Sequence, residues 1–341
     1  MSDSIDYSII IPVYNRAEEV NELLGSLAKM HLPKNKSIEC IIVDDGSTDN
    51  TGAVVEEYTN KISFPIRFIQ QENQGPGAAR NNGMEHAKGT FFIFLDSDTL
   101  VHPRWLQAIE DAVRDGADAF GGPDRASEDF TALQKAINYS MTSFITTGGI
   151  RGKKKRVGRY YPRSFNMGLR REVYEKIGGF GGLRHGQDIE FSQRIIDSGA
   201  TTRFVEDAVV YHKRRTSLRK FFKQVFNWGV ARINLYKVNP DMLEVVHIMP
   251  AIATIAAAVT MVLAILGITW SYYLIAFGLV GSFFAGIHGG LQTRSVTVGC
   301  LIILVIPIQI IGYGVGFISA WISRVFLGKS EFTGFVKKYY R

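Results

Sequence analysis

The stretch Thr90-Phe-Phe-Ile-Phe-Leu-Asp-Ser-Asp98 joins a continuous apolar run directly to two carboxylates. A short continuous apolar run is typical of a strand that is covered on both faces of its sheet. Three earlier runs, at residues 7–13, 38–43 and 66–69, have the same character, and helix-like segments such as residues 17–30 separate them. This alternation predicts an α/β fold, Rossmann-like, with a mostly parallel sheet and helices on both faces.

Polar residues follow each apolar run, where parallel sheets place their ligands. They are Tyr14 and Asn15, Asp44 and Asp45, Gln71 to Asn73, and Asp96 and Asp98. Two carboxylates separated by one residue can both reach a hard divalent cation, and such cations hold phosphates. An Asp-x-Asp triplet alone is often a solvated turn, so its position at a strand end is the informative feature.

The distribution of charge divides the chain of 341 residues. No Asp, Glu, Lys or Arg occurs in residues 245–293 or in residues 295–323, and one membrane span needs ~20 apolar residues. We therefore expect an α-helical transmembrane region with about three spans, near residues 248–270, 272–290 and 296–322. The predicted regions are a soluble domain (1–215), an amphipathic interfacial helix region (216–244), the transmembrane region (245–323) and a basic C-terminal tail (324–341).

The side of the membrane on which the tail lies is the difficult point. Three spans put the tail across the membrane from the soluble domain, yet the tail is basic, which the positive-inside rule opposes. A last segment that re-enters at Pro307 is the alternative. Three full spans are favoured here because 27 residues at ~1.5 Å each suffice for one tilted span but not for two.

The net charge of +7 lies mostly in the membrane part. Six basic residues and one acidic residue follow position 245, so only +2 remains for the soluble domain. This excludes nucleic acid as the expected partner and favours membrane lipids. Cys40 and Cys300 form no disulfide framework, and the N-terminus lacks the features of a signal peptide. We expect the soluble domain to lie on the cytoplasmic side of the inner membrane.

Four motifs in order resemble the signatures of family 2 glycosyltransferases. They are Ser8-Ile-Ile-Ile-Pro-Val-Tyr-Asn15, Val43-Asp-Asp-Gly-Ser-Thr-Asp49, Asn73-Gln-Gly-Pro-Gly-Ala-Ala-Arg-Asn81 and Phe94-Leu-Asp-Ser-Asp98. The resemblance covers about residues 5–215 and implies a GT-A fold, an inverting reaction, a divalent metal (Mg²⁺ or Mn²⁺) and a nucleotide-sugar donor, with a UDP-sugar expected. The membrane tail resembles exopolysaccharide members such as succinoglycan glucosyltransferases.

The resemblance also implies roles for single residues. Asp44 would accept a hydrogen bond from the base, Arg80 would lie near the diphosphate, and Asp96 would face the ribose and the sugar. Asp98 would bind the metal, with His212 as a further candidate ligand. The donor-binding set is Pro12, Tyr14, Asn15, Asp44, Arg80 and Asp96. The alternative for Asp45 and Asp49 is that they cap the helix that follows them in the sequence. The alternative for Gly75 and Gly77 is that they serve the turn alone.

The expected general base is Asp188 in Gly186-Gln-Asp-Ile-Glu190. Gln187 replaces the glutamate that usually precedes the base, but inversion needs only one carboxylate. The alternative is that Asp188 only caps the following helix. Glu190 is expected to be structural or to face the acceptor.

The segment Gln224-Val-Phe-Asn-Trp228 resembles the Gln-x-x-Arg-Trp motif of processive synthases, with Asn227 in place of the arginine. Gln224 and Trp228 are candidate acceptor contacts, although Trp228 equally suits a membrane interface. Residues 217–232 form an amphipathic pattern, for which an interfacial position is favoured over a buried one. Residues 130–144 are predicted to form a helix over the sheet. The basic run in residues 151–159 is either solvated or in contact with lipid phosphates.

The expected function is transfer of a sugar to a lipid-linked or glycolipid acceptor at the cytoplasmic membrane face, in surface polysaccharide or glycolipid biosynthesis. A processive polysaccharide synthase and a catalytically silent binding module remain alternatives. A polyprenyl-phosphate sugar synthase is disfavoured, because Asp96-Ser-Asp-Thr-Leu lacks the usual continuation of that group.

Overall fold

The computed structural model describes residues 5–125, 129–147, 160–212 and 214–334, without the side chain of His212. The strands are β1 (Tyr7–Val13), β2 (Ile38–Asp44), β3 (Ile66–Gln70), β4 (Phe91–Leu95), β5 (Thr99–Val101), β6 (Ala119–Gly121), β7 (Asp124–Arg125), β8 (Asn166–Arg170), β9 (Thr202–Phe204) and β10 (Val210–His212). The helices are α1 (Ala17–Ala28), α2 (Thr51–Tyr58), α3 (Pro76–His86), α4 (Trp105–Arg114), α5 (Ala132–Thr142), α6 (Phe144–Thr147), α7 (Arg171–Ile177), α8 (Gln187–Asp197), α9 (Leu218–Val238), α10 (Val245–Ile265), α11 (Thr269–Thr293) and α12 (Val296–Trp321). A 3₁₀ turn (Pro240–Met242) precedes α10, and a π-helical turn (Ile322–Phe326) extends α12.

The main sheet has the strand order β3-β2-β1-β4-β8-β6-β9. The first four of these strands are parallel, whereas β8 is antiparallel to both β4 and β6. A second, smaller sheet has the order β5-β10-β7. The predicted α/β fold with a mostly parallel sheet is confirmed, and all four strands predicted from apolar runs are present.

Helices cover both faces of the main sheet because successive strand residues point to opposite sides. Ile9 and Ile11 pack into one buried cluster with residues of α1, α2 and α4. Ile10 packs into a second cluster with residues of α3, α7 and α8. The carboxyl ends of β1, β2 and β4, with their polar residues, therefore meet at one edge of a rigid layer.

Helix α5 corrects one expectation. The sequence pattern predicts a helix near residues 130–144 that covers the sheet, but α5 packs with α9 and α12 instead. Thr131 caps α5 in a reciprocal arrangement with Gln134. A buried ion pair of 2.6 Å between Arg214 and Asp124 lies beside it, and Arg214 also donates to Asn138 of α5. The expectation failed because the apolar face of a helix shows that the helix is buried but does not identify the element against which it packs.

Helix α9 begins after its cap Ser217 and is longer than the predicted segment. Its apolar side, including Phe221, Val225 and Val230, is buried, and much of it packs on α12. The two helices approach closely at Gly229, where a Cβ atom would lie 2.1 Å from the carbonyl oxygen of Tyr313. The apolar side of α9 is thus covered by protein, while its level in the membrane stays a prediction.

In the described part of the chain, three helical segments are long and apolar enough to cross a membrane: α10, α11, and α12 with its π-helical turn. The end of α11 lies against α5, since Tyr139 Oη and His288 Nδ1 are 2.8 Å apart. Beyond α12, the Arg184 backbone N–H donates to Glu331 over 2.8 Å. Both ends of α12 therefore lie against the soluble domain. The side of the membrane on which the tail lies stays a prediction, because hydropathy does not distinguish a crossing helix from one that lies along a surface.

Candidate active site

A cavity of about 730 Å³ opens at the carboxyl ends of β1 and β4. Its walls come from these strand ends, from the first turns of α3 and α8, and from α9, α10 and α12. The predicted site residues that line it are Pro12, Tyr14, Arg80, Asp96, Asp98, Asp188 and Trp228. The predicted residues outside its lining are Asn15, Asp44, Glu190 and Gln224. The cavity is thus shared between the soluble domain and the apolar helices.

Two carboxylates stand at the strand-end side of the cavity, each beside an arginine. Asp96 forms an ion pair with the buried Arg80, and Asp98 lies 3.8 Å from Arg16. The buried Nε of Arg80 has no hydrogen-bond partner among the described residues. Arg80 thus brings a positive charge to the cavity lining, where it favours an anionic ligand.

The donor set at this edge fits a hard divalent cation. Asp96 and Asp98 offer carboxylate oxygens, and phosphate oxygens or water can complete the coordination of Mg²⁺ or Mn²⁺. The described ranges contain no cluster of three or more His, Cys, Asp or Glu residues that could hold a metal by itself. The backbone of His212 pairs with Thr99, but its side chain is outside the described part, so its metal role stays a prediction.

Asp45 and Asp49 organise the loops around the cavity. Asp45 is fully buried and accepts hydrogen bonds from the backbone N–H groups of Gln74 and Gly75. It therefore fixes the start of α3, and the expectation that it caps the next helix is wrong. Asp49 does act at helix starts, because its carboxylate accepts from the backbone N–H groups of Thr51 and Ala17.

Asp44 and Asn15 shape the neighbouring loop. Asp44 is 2% exposed and accepts from the backbone N–H of Ser47. Asn15 has a positive φ of 50°, and its Oδ1 accepts from the backbone N–H of Thr48 over 2.7 Å. Their contacts with a nucleotide base or ribose stay predictions.

Asp188 lies in the first turn of α8 and lines the same cavity as the strand ends. The N-cap of α8 is Gly186, whose φ is 88°, so Asp188 does not occupy the capping position. Its Oδ2 lies 3.3 Å from Nη1 of Arg163, and both side chains are about three-quarters buried. Gly77 brings α3 against α8, because a Cβ atom there would lie 2.6 Å from Gln187 Oε1. Gly77 therefore serves close packing and not the turn alone.

The weaker acceptor candidates separate into two groups. Trp228 lines the cavity. Glu190 is instead bound by Arg194, with an Nε to Oε1 distance of 2.6 Å, on the same helix. Gln224 is partly buried in α9, and its Oε1 has no hydrogen-bond partner in the described part. Only Trp228 is thus placed to meet a substrate in this cavity.

The sequence analysis missed several arginines of the cavity. Six arginines and three aspartates line it, so the cavity is positively charged and suits a diphosphate. The arginines are Arg16, Arg80, Arg163, Arg184, Arg215 and Arg232. Burial lowers the pKa of Arg232, although a guanidinium remains charged. A helical wheel could have found Arg232, since it lies one turn after Trp228.

The comparisons with known proteins agree with this geometry. A sequence model described as "Glycosyl transferase family 2" matches residues 8–178. "Glycosyltransferase AglE" of Haloferax volcanii is 30% identical over 240 residues, which are 68% of this chain and 77% of that protein. "Uncharacterized glycosyltransferase EpsJ" of Bacillus subtilis is 36% identical over 191 residues, 54% of this chain and 53% of that protein.

A solved structure has the same fold over most of the chain. It is the mannosyltransferase PcManGT from Pyrobaculum calidifontis in complex with GDP-Man and Mn²⁺. Its TM-score is 0.64 at 18% identity, with 93% of this chain and 88% of that chain covered. The expected GT-A fold is thereby confirmed.

Proposed function

Because the chain belongs to glycosyl transferase family 2, we propose that it moves a sugar from a nucleotide-diphosphate sugar to a lipid-linked or glycolipid acceptor. The reaction takes place at the cytoplasmic membrane face, in surface polysaccharide or glycolipid biosynthesis. One observation carries the proposal: the cavity that holds Asp96, Asp98 and Asp188 is also lined by α10 and α12. A donor from solution and an acceptor from the membrane can meet there.

The donor side is formed by the strand ends. Arg80 and Arg16 offer positive charge to the diphosphate, and Asp96 faces the ribose and sugar. Asp98 and Asp96 would hold the divalent metal, which when bound neutralises the leaving diphosphate. We expect UDP as the nucleotide, on the motif resemblance alone.

The transfer step is an inverting displacement with Asp188 as general base. The acceptor hydroxyl oxygen forms a bond to the anomeric carbon while the bond from that carbon to the diphosphate breaks. The proton of the hydroxyl goes to the Asp188 carboxylate, and the electron pair leaves with the diphosphate. Nη1 of Arg163 lies 3.3 Å from Oδ2 of Asp188 and holds the carboxylate in place at the cavity wall.

The test uses the full-length protein in detergent with a panel of UDP- and GDP-sugars. We expect metal-dependent release of nucleotide from one donor and, with a membrane lipid extract, transfer of labelled sugar into the lipid fraction. Asp188→Asn is the negative control for transfer. Transfer into a water-soluble acceptor only would refute the lipid-linked acceptor, and no turnover of any donor would favour a silent binding module.

The membrane arrangement is the second part of the proposal. We infer that α10 and α11 cross the membrane as a hairpin and that α12 lies along the catalytic domain. Tyr236 stacks on Trp321 with ring centroids 5.8 Å apart, and Arg324 donates to Asn234 over 2.8 Å. These contacts at the end of α12, with those of α11 at its start, support a tail on the side of the catalytic domain. The basic tail then satisfies the positive-inside rule.

Cysteine labelling tests this arrangement in intact cells. In a Cys300→Ala background, Lys329→Cys should be protected from an impermeant thiol reagent until the cells are opened. Leu266→Cys, between α10 and α11, is the matched control and should be labelled in intact cells, since Leu266 is exposed. Labelling of both positions in intact cells would instead establish the three-span arrangement.

A further inference from the structure

Arg232 of α9 is a buried cation that the transfer mechanism does not use. Its residue exposure is 8%, yet it lines the cavity. Within residues 5–125, 129–147, 160–212 and 214–334, no carboxylate lies within ion-pair distance of it, and its Nη1 has no hydrogen-bond partner. A buried charge without a partner is costly, so a fold that keeps one indicates an anionic ligand.

Other unsatisfied polar atoms line the same cavity. The Oη of Tyr313 and the Oε1 of Gln309, both on α12, are buried and make no hydrogen bond with described residues. Tyr313 is close enough to Arg232 for an electrostatic interaction, and His247 of α10 also lines the cavity. Three elements thus bring polar groups to one region, where a ligand with several oxygens could satisfy them.

The charged groups around Arg232 locate this region relative to the reaction. Arg163 and Asp188 both act electrostatically on Arg232, together with the phenols of Tyr161 and Tyr313. Arg163 is already paired with Asp188. Arg232, in contrast, forms no ion pair among the described residues, so its charge is available to a ligand near the general base.

The geometry points to a site for the phosphate of a lipid carrier: we propose that Arg232, with Tyr313 and Gln309, binds the phosphate or diphosphate through which a long-chain lipid presents the acceptor sugar. This inference rests on the proposed function and names the part of the acceptor that is recognised. Apolar side chains of α10 and α12, Met249 and Ile310, also line the cavity, and Met249 is 53% exposed on the outer face of α10. A lipid chain can leave the cavity past Met249, with its phosphate at Arg232 and its sugar at Asp188.

A donor diphosphate is the other source of the same chemistry. The donor side already has Arg80 and Arg16 beside Asp96 and Asp98. Arg232 belongs to α9 and faces residues of α12. The α12 residues that line the cavity, Gln309, Ile310 and Tyr313, carry no charge. The lipid phosphate is therefore the assigned ligand, and the donor becomes an outcome of the test.

The experiment measures binding of labelled farnesyl phosphate to the purified full-length protein in detergent, with farnesol and UDP as comparison ligands. Arg232→Gln should weaken binding of farnesyl phosphate about 10- to 100-fold, the range for a lost charge-assisted hydrogen bond. Binding of farnesol and UDP should stay unchanged. Arg219→Gln, which changes an exposed arginine of the same helix, is the matched control and should bind all three ligands like wild type.

Thermal stability separates a binding role from a structural one. Removing an unpaired buried charge should leave the melting temperature of Arg232→Gln unchanged or raised. Tyr313→Phe removes only a hydroxyl and should also weaken the binding of farnesyl phosphate. This second variant keeps the test valid if Arg232→Gln folds poorly.

Each contrary result has a distinct meaning. Equal binding of farnesyl phosphate by wild type and both variants would overturn the site, while transfer into lipid by wild type would leave the proposed function intact. Loss of UDP binding alone in Arg232→Gln would assign the arginine to the donor. Transfer confined to water-soluble acceptors would refute the proposed function itself.

Discussion

Replacing Asp188 by Asn tests the assignment of the general base most directly. The amide keeps the shape of the side chain but cannot accept the proton of the acceptor hydroxyl. Loss of a general base typically lowers a rate by ~10² to 10⁴, so transfer should fall within that range. Donor binding should survive, because the change leaves Arg80, Asp96 and Asp98 of the donor side unaltered.

The structure also limits the effect on folding. The pair of Asp188 with Arg163 is 3.3 Å long, and the two side chains are 24% and 23% exposed. Asparagine keeps an oxygen that can accept a hydrogen bond from Arg163, so the change removes the negative charge but not the contact. The melting temperature of Asp188→Asn should therefore stay near that of wild type, and a loss of rate cannot be attributed to unfolding.

The assay is single-turnover transfer with saturating donor, together with calorimetric titration of UDP. Glu190→Gln is the matched control, because Glu190 is a carboxylate on the same helix, two residues after Asp188. It lies outside the cavity lining and forms an ion pair with Arg194. It should transfer at nearly the wild-type rate. Transfer by Asp188→Asn within a few-fold of wild type would refute the assignment and require another base.

Three further changes have definite expectations. Asp98→Ala should lower transfer by at least about 100-fold, as expected for loss of metal binding, with little change in melting temperature; wild-type turnover that is unaffected by excess EDTA would contradict the metal. Arg214→Met should destabilise the protein by about 3–5 kcal/mol in urea denaturation, because it removes one partner of a buried ion pair; a loss below 1 kcal/mol would contradict this. Burial lowers the pKa of His185 from its ordinary 6.5, so the unfolded chain takes up the proton first and stability should fall as the pH drops below 6.5. Melting temperatures from pH 7.5 to 5 should show this loss in wild type and a smaller one in His185→Gln.

The first half of the fold could be predicted because its signals are local. The apolar runs at β1, β2 and β4 fix the strands, and a parallel sheet necessarily brings their carboxyl ends together. This is why Tyr14, Asp96 and Asp98, which are far apart in sequence, were expected in one site and line one cavity. The short strands β6 and β7 escaped prediction, since two or three residues carry no periodicity.

The residues on the acceptor side of the cavity could not be predicted from local sequence signals. Arg232, Gln309 and Tyr313 line one cavity because α9 and α12 pack side by side, and no motif encodes that packing. Gly229 permits it, but a glycine in a helix has many other uses. The burial of Arg232 depends on which helix lies over it, so a reading of the sequence alone treats it as one more basic residue near a membrane.

The position of α12 links the topology to the site. A helix of 26 residues is ~39 Å long at 1.5 Å per residue, so a crossing α12 could not have both ends against one domain. In the structure the end of α11 contacts α5, and Glu331 contacts Arg184, which supports the proposed hairpin of α10 and α11. The middle of α12, at Gln309 and Tyr313, lines the cavity. In the proposed arrangement, the basic tail that opposed a third span and the polar groups of α12 in the cavity therefore have one physical cause, a helix that covers the active site instead of crossing the membrane.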